Sequence, residues 1–102
     1  MSQDLIQFKV TGVVQGVNFR YHTQKEAQKL GLRGHCYNHE DQSVQGAAVG
    51  PSQKIEEFRR YLENGPPSAE VHGVELIKEI RGASDDQIQG VIGKDSGFQV
   101  KR

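Results

Sequence analysis

Residues 12–20, Gly-Val-Val-Gln-Gly-Val-Asn-Phe-Arg, carry the densest chemical signal in the chain. Upstream, Ile6, Phe8 and Val10 alternate with Gln7, Lys9 and Thr11, which predicts a strand with one buried face. Downstream, Phe19, Thr23, Ala27 and Leu30 recur at helical spacing. The segment between them is a glycine-containing loop that feeds a helix. The first N–H groups of a helix lack intrahelical partners and carry partial positive charge. A preceding loop in a nest conformation adds N–H groups aimed at one point, and such a place binds a dianion the size of phosphate. Arg20, in the first helical turn, would supply a formal charge and a planar fork able to take two phosphate oxygens at once. The same spacing fits a plain strand-to-helix turn with a solvated arginine, and spacing alone leaves both readings open.

Asn38 is the second candidate. It lies near the end of a predicted strand, just before a turn. An asparagine there commonly bonds its own backbone. Its amide could also orient a water or donate to a reacting oxygen.

Spacing excludes several other chemistries. A Walker A loop needs four residues between its glycines and then Gly-Lys-Ser/Thr, whereas three residues separate Gly12 from Gly16 and no lysine follows. The stretch from Gly90 to Asp95 has the wrong spacing and lacks the hydroxyl. A cysteine-nucleophile phosphatase needs an arginine soon after its cysteine, and none stands between Cys36 and Gln42. Cys36 therefore reads as a small buried apolar residue. His35 and His39, four apart on a strand, would span ~13 Å, too far for one metal ion. His22 and His72 have no ligand partners nearby in sequence. No metal site is expected.

Positioning Arg20 and Asn38 falls to the elements around them. Asn18 is placed like a helix N-cap and Gly31 like a C-cap. Residues 34–40 and 43–49 predict two short strands around Glu40, Asp41 and Gln42. A second helix opens at Pro51-Ser52, buries Ile55, Phe58 and Leu62, and ends at Asn64-Gly65-Pro66-Pro67. A strand over 70–80 would carry Val74, Leu76 and Ile80 on one face. Residues 82–94 read as a long polar, glycine-rich loop, and 97–101 as a short last strand with Phe98 and Val100 on one side. The order β-α-β-β-α-β plus an extra strand predicts an α+β, ferredoxin-like (split βαβ) sandwich. Two helices would lie on one face of a mostly antiparallel sheet of four to five strands. The strands joined by each crossover are expected side by side, with right-handed crossovers.

Length and charge limit the rest. The 102 residues make one domain, 1–102, with no room for a second core. Thirteen basic residues balance thirteen acidic ones, so no basic excess favours a nucleic-acid backbone. RNA-binding versions of this fold display aromatic residues on the sheet face. Here the strand aromatics are Phe8, Tyr37 and Phe98; the first and last read as core and only Tyr37 as free. A single cysteine allows no internal disulfide. Neither a signal peptide nor an apolar run long enough to span a bilayer is visible, so a cytoplasmic protein without membrane contacts is expected.

Taken together, these residues resemble the acylphosphatase family. The recurring core of its first signature, Gly-x-Val-Gln-Gly-Val-x-Phe-Arg, matches Gly12 to Arg20 at all seven specified positions. The second signature resembles Gly34-x-Cys36-x-Asn38, followed by Val44 and Gly50. The resemblance covers roughly residues 5–80, is poor from 81 to 94, and returns loosely at Phe98. It departs from the family pattern at Val13, where an arginine or lysine is usual, at His35, commonly aromatic, and at Gln42, commonly glycine. A side chain at a positive-φ turn position costs ~1 kcal/mol. The resemblance implies a small cytosolic hydrolase of acyl phosphates (carboxyl-phosphate mixed anhydrides) without metal or cofactor, and a monomer is expected. Inorganic phosphate would be its product and competitive inhibitor. Carried over, Arg20 would anchor the phosphate and Asn38 would orient water. The backbone of Gln15, Gly16, Val17, Asn18 and Phe19 would form the cradle.

Overall fold

The computed structural model describes residues 3–15, 18–65, 69–93 and 97–101. Along the chain run β1 (Asp4–Val13), α1 (Phe19–Lys29), β2 (Arg33–Asn38), β3 (Val44–Gly50), α2 (Ser52–Asn64), β4 (Glu70–Ile80), α3 (Asp85–Ile92) and β5 (Phe98–Val100). The strands form one sheet in the order β4-β1-β3-β2-β5. All neighbours are antiparallel except β5, which runs parallel to β2.

Alternation in β1 decides which face is buried under the long helices. Ile6, Phe8 and Val10 pack with Phe19 and Ala27 of α1, with Ile55, Phe58 and Leu62 of α2, and with Phe98. The Phe58 ring meets Phe8 edge-on, with centroids 5.7 Å apart, and Phe98 at 5.8 Å. Helix α1 ends as expected at Gly31, whose positive φ lets the chain reverse. The Gly31 N–H donates to the Gln28 carbonyl and the Leu32 N–H to the Ala27 carbonyl, the Schellman pattern.

Three expectations are corrected. First, residues 82–94 are not simply a loop, because 85–92 form α3. Ser84 and Gln87 close a capping box at its start. Ile88 and Ile92, one turn apart, pack with Leu5, Ala47 and Val49. Those strand residues alternate with the ones under α1 and α2, so α3 covers part of the opposite sheet face. Second, crossover-linked strands are not side by side: β3 lies between β1 and β2, and β1 between β3 and β4. The β2–β3 hairpin folds back, and its second strand fills the slot beside β1. Third, Ile80 does not share a face with Val74 and Leu76. Phe8 pairs with Leu76 while Gln7 pairs with Lys78, so an extra residue, Ile77, sits in a bulge and reverses the alternation. Ile80 thus joins Leu5 on the α3 side.

Phe8 and Phe98 are core residues, as expected. Tyr37 is half-buried rather than free. Its ring stacks on His35 at 6.2 Å with 22° between the planes.

Candidate active site

The end of β1 is committed to a close approach. Gly12 has φ +130°, and a Cβ there would stand 2.1 Å from the Glu70 carbonyl oxygen. Only a glycine lets β1 pass β4 at this register and turn toward α1.

Asn18 occupies the N-cap position of α1, but its backbone is left-handed (φ 61°, ψ 23°) and its side chain makes no capping bond. Side-chain capping needs an extended cap residue. The left-handed backbone therefore leaves the first-turn amides unspent by the cap. The first intrahelical bond runs from the His22 N–H to the Asn18 carbonyl, at 3.0 Å. In front of this helix start lies a cavity of about 370 Å³, walled by Asn18, Phe19, Arg20, Tyr21 and Gln24 of the helix, by Val14, by Asn38 and by Val100.

Arg20 stands half-buried at the edge of that cavity. Its Nη1 donates to the Lys101 carbonyl at 3.0 Å. The Lys101 N–H in turn donates to the Cys36 carbonyl at 2.9 Å, which ties the guanidinium to the β2–β5 pairing. The acceptor is a neutral carbonyl, so this contact orients the fork without neutralising its charge. One turn further along the helix, Gln24 Nε2 donates to the Phe98 carbonyl at 3.0 Å. Helix α1 is thus laced to β5 at two points.

Asn38 arrives from the other side. It is the last residue of β2, opposite Val44, and is exposed into the cavity. The hairpin turn that follows has Gln42 at φ 74°, the conformation for which glycine would be the unstrained choice. Asp41 compensates. Its carboxylate accepts from the Ser43 hydroxyl, from the Ser43 N–H at 3.0 Å and from Lys9 Nζ at 2.9 Å. These contacts, the Ser43 hydroxyl foremost, hold the Asp41 carboxyl well below the usual carboxylate range. Gln15 then stitches the loop to the hairpin, with Nε2 donating to the carbonyls of His39 (2.9 Å) and Ser43 (3.0 Å).

The structure thus places Arg20, Asn38, Asn18 and Phe19 around one cavity. The Phe19 side chain is core, 1% exposed, so it offers the cavity its backbone. The Gln15 side chain is committed to the hairpin, which likewise leaves its main chain for a cradle. Gly16 and Val17 lie outside the described residues. Burial pushes the Cys36 thiol up to about 12, against a smaller opposing pull from Arg20, so it is no nucleophile near neutral pH. Tyr21, Gln24, Val14, Val100 and the Lys101 carbonyl were not singled out in the sequence. Helical spacing from Arg20 pointed to Gln24 one turn on. Nothing local in the sequence connects the last strand to α1.

The acylphosphatase family model matches residues 6–92. An acylphosphatase of Aeromonas hydrophila is 47% identical over 75 residues, spanning 74% of this chain and 83% of the relative. The solved acylphosphatase of Coxiella burnetii superposes with a TM-score of 0.80 at 32% identity, covering 98% of this chain and 94% of that one. That of Bacillus subtilis gives 0.81 at 29%, covering 97% and 99%. With the family model matching most of its length and the same architecture in two solved relatives, this chain belongs to the acylphosphatase family.

Proposed function

We propose that this acylphosphatase hydrolyses small acyl phosphates by direct attack of water on a phosphoryl group held by Arg20 and the loop and first-turn amides. Asn38 orients that water. The observation that carries the reading is the meeting of three parts at one cavity: a helix start without a side-chain cap, an arginine whose bond to the Lys101 carbonyl leaves its charge intact, and an asparagine from a different strand.

The chemistry asks for little more. The leaving group is a carboxylate, which departs without a proton, so no general acid is required. The water oxygen forms a bond to phosphorus while the bond from phosphorus to the acyl oxygen breaks. The bonding pair leaves on the carboxylate, and the water's proton passes to a phosphoryl oxygen. Phosphoryl transfer through a loose transition state is mainly positioning and charge stabilisation. Arg20 and the amides serve the equatorial oxygens, and Asn38 holds the nucleophile in line with the scissile bond. β5, which supplies Val100 to the cavity, belongs to the same sheet as β1. We therefore read 1–102 as a single domain; that it acts as a monomer is part of the same proposal.

Hydrolysis of benzoyl phosphate, followed by ultraviolet absorbance with and without inorganic phosphate and chelator, tests this. Turnover should persist in chelator, and phosphate should raise the apparent KM without changing kcat. Loss of turnover in chelator, restored by added zinc or magnesium, would overturn the metal-free mechanism. Phosphate that fails to compete would overturn the anion site.

A further inference from the structure

The cavity is larger than its phosphoryl end requires. A phosphate group fills a volume comparable to a few waters, roughly 100 Å³, whereas the cavity measures about 370 Å³. Among the described residues, what remains is lined by no second cationic side chain. Tyr21, next to Arg20 on the helix, lines the same cavity, as do Val14 and Val100. Tyr21 is 53% exposed, one of the few large hydrophobic side chains left so open among the described residues. Its ring is nevertheless held: His22 meets it edge-on at 5.6 Å, and Lys25 Nζ lies 5.4 Å from its centroid. Gln24, tied to the Phe98 carbonyl, keeps this face of the helix against β5. An oriented, half-exposed ring that shares its cavity with two valines is a surface for a flat apolar group.

We propose that Tyr21, with Val14 and Val100, forms a subsite for the acyl portion of the substrate, and that it selects acyl phosphates with an aromatic or extended apolar acyl group over those with a methyl. The proposal rests on the hydrolase reading above and names the part of the substrate which that reading leaves unspecified. Phosphate contacts are common to all acyl phosphates and cannot discriminate among them. The ring contact grows with the apolar area of the acyl group, because burial and stacking scale with the surface covered.

The test compares kcat/KM for benzoyl phosphate and acetyl phosphate in the unaltered protein, Tyr21→Ala and Tyr21→Phe. The unaltered protein should prefer benzoyl phosphate. Tyr21→Ala should lower the benzoyl-to-acetyl ratio about tenfold, equivalent to ~1.4 kcal/mol. Tyr21→Phe should keep the ratio, since the ring and not the hydroxyl makes the contact. Binding of benzylphosphonate and methylphosphonate, measured by calorimetry, should show the same change in ratio without any turnover. A ratio that survives Tyr21→Ala, or an unaltered protein that treats the two substrates alike, overturns the subsite and leaves the hydrolase reading standing. If the unaltered protein hydrolyses neither substrate, the hydrolase reading falls and the subsite falls with it.

Discussion

Replacing Arg20 is the sharpest perturbation of the site. Among the described residues its guanidinium, at the edge of the cavity, makes one hydrogen bond, to the Lys101 carbonyl, which gives no charge compensation. Two costs follow from Arg20→Ala, and they differ in size. For stability, one hydrogen bond to a carbonyl is lost from a half-exposed side chain, about 0.5–1.5 kcal/mol. A domain of this length loses roughly 4–8 °C of melting temperature per kcal/mol, so the variant stays folded at 25 °C. For catalysis, an arginine on the transferring phosphoryl group contributes ~10³–10⁵ in rate, or ~4–7 kcal/mol. Arg20→Lys keeps the charge and loses the fork. A lysine must choose between the Lys101 carbonyl and the phosphate, so it should fall between Arg20→Ala and the unaltered protein. Steady-state hydrolysis of benzoyl phosphate, with circular dichroism confirming the fold, separates the two costs. A folded Arg20→Ala protein with kcat/KM within tenfold of the unaltered one would refute the assignment of Arg20 as anchor.

Other consequences are smaller or sit elsewhere in the molecule. Asn38→Ala should lower kcat by ~10²–10³ with KM little changed, because one positioned amide acts on the transition state rather than on substrate binding; a rise in KM at constant kcat would contradict that role. Gln15→Ala removes both bonds that stitch the loop to the hairpin, so its kcat should fall in the same direction and its urea midpoint should drop with it. Ser84→Ala breaks the capping box of α3, for a loss of ~1 kcal/mol and roughly 4–8 °C in melting temperature. Turnover of benzoyl phosphate should be unaffected, since α3 packs on the sheet face away from the site. The Asp41 carboxyl is lowered in the folded protein. Its contribution to stability is therefore fully present above the unfolded carboxylate value of ~3.9 and is lost as pH falls below it toward the folded value. Asp41→Asn should accordingly have a lower urea midpoint than the unaltered protein at pH 7, and the gap should narrow below about pH 4.

Most of the architecture was legible because it is written in local periods. The alternation of Ile6, Phe8 and Val10, the helical recurrence of Phe19, Thr23 and Ala27, and that of Ile55, Phe58 and Leu62 each bury the face they imply. The place of Arg20 was legible too: a glycine-bearing loop that feeds a helix announces itself in a few consecutive residues, and Arg20 lines the cavity in front of that helix start. Helix α3 was less so. Its capping box and its Ile88–Ile92 pair were present, but only eight residues carry them, among glycines and polar residues.

What only the tertiary structure decided are matters of long-range register. The bulge at Ile77, which sends Ile80 to the opposite face, arises from pairing with β1 some seventy residues earlier. The grip of the Lys101 carbonyl on Arg20 spans 81 residues. Asn38 reaches the cavity because the hairpin is held by Lys9 and Gln15, both far upstream. Local sequence sets dihedral preference and which face is apolar. The meeting of two side chains from distant strands depends on how the sheet is ordered, and that order is chosen by burying all the apolar faces at once.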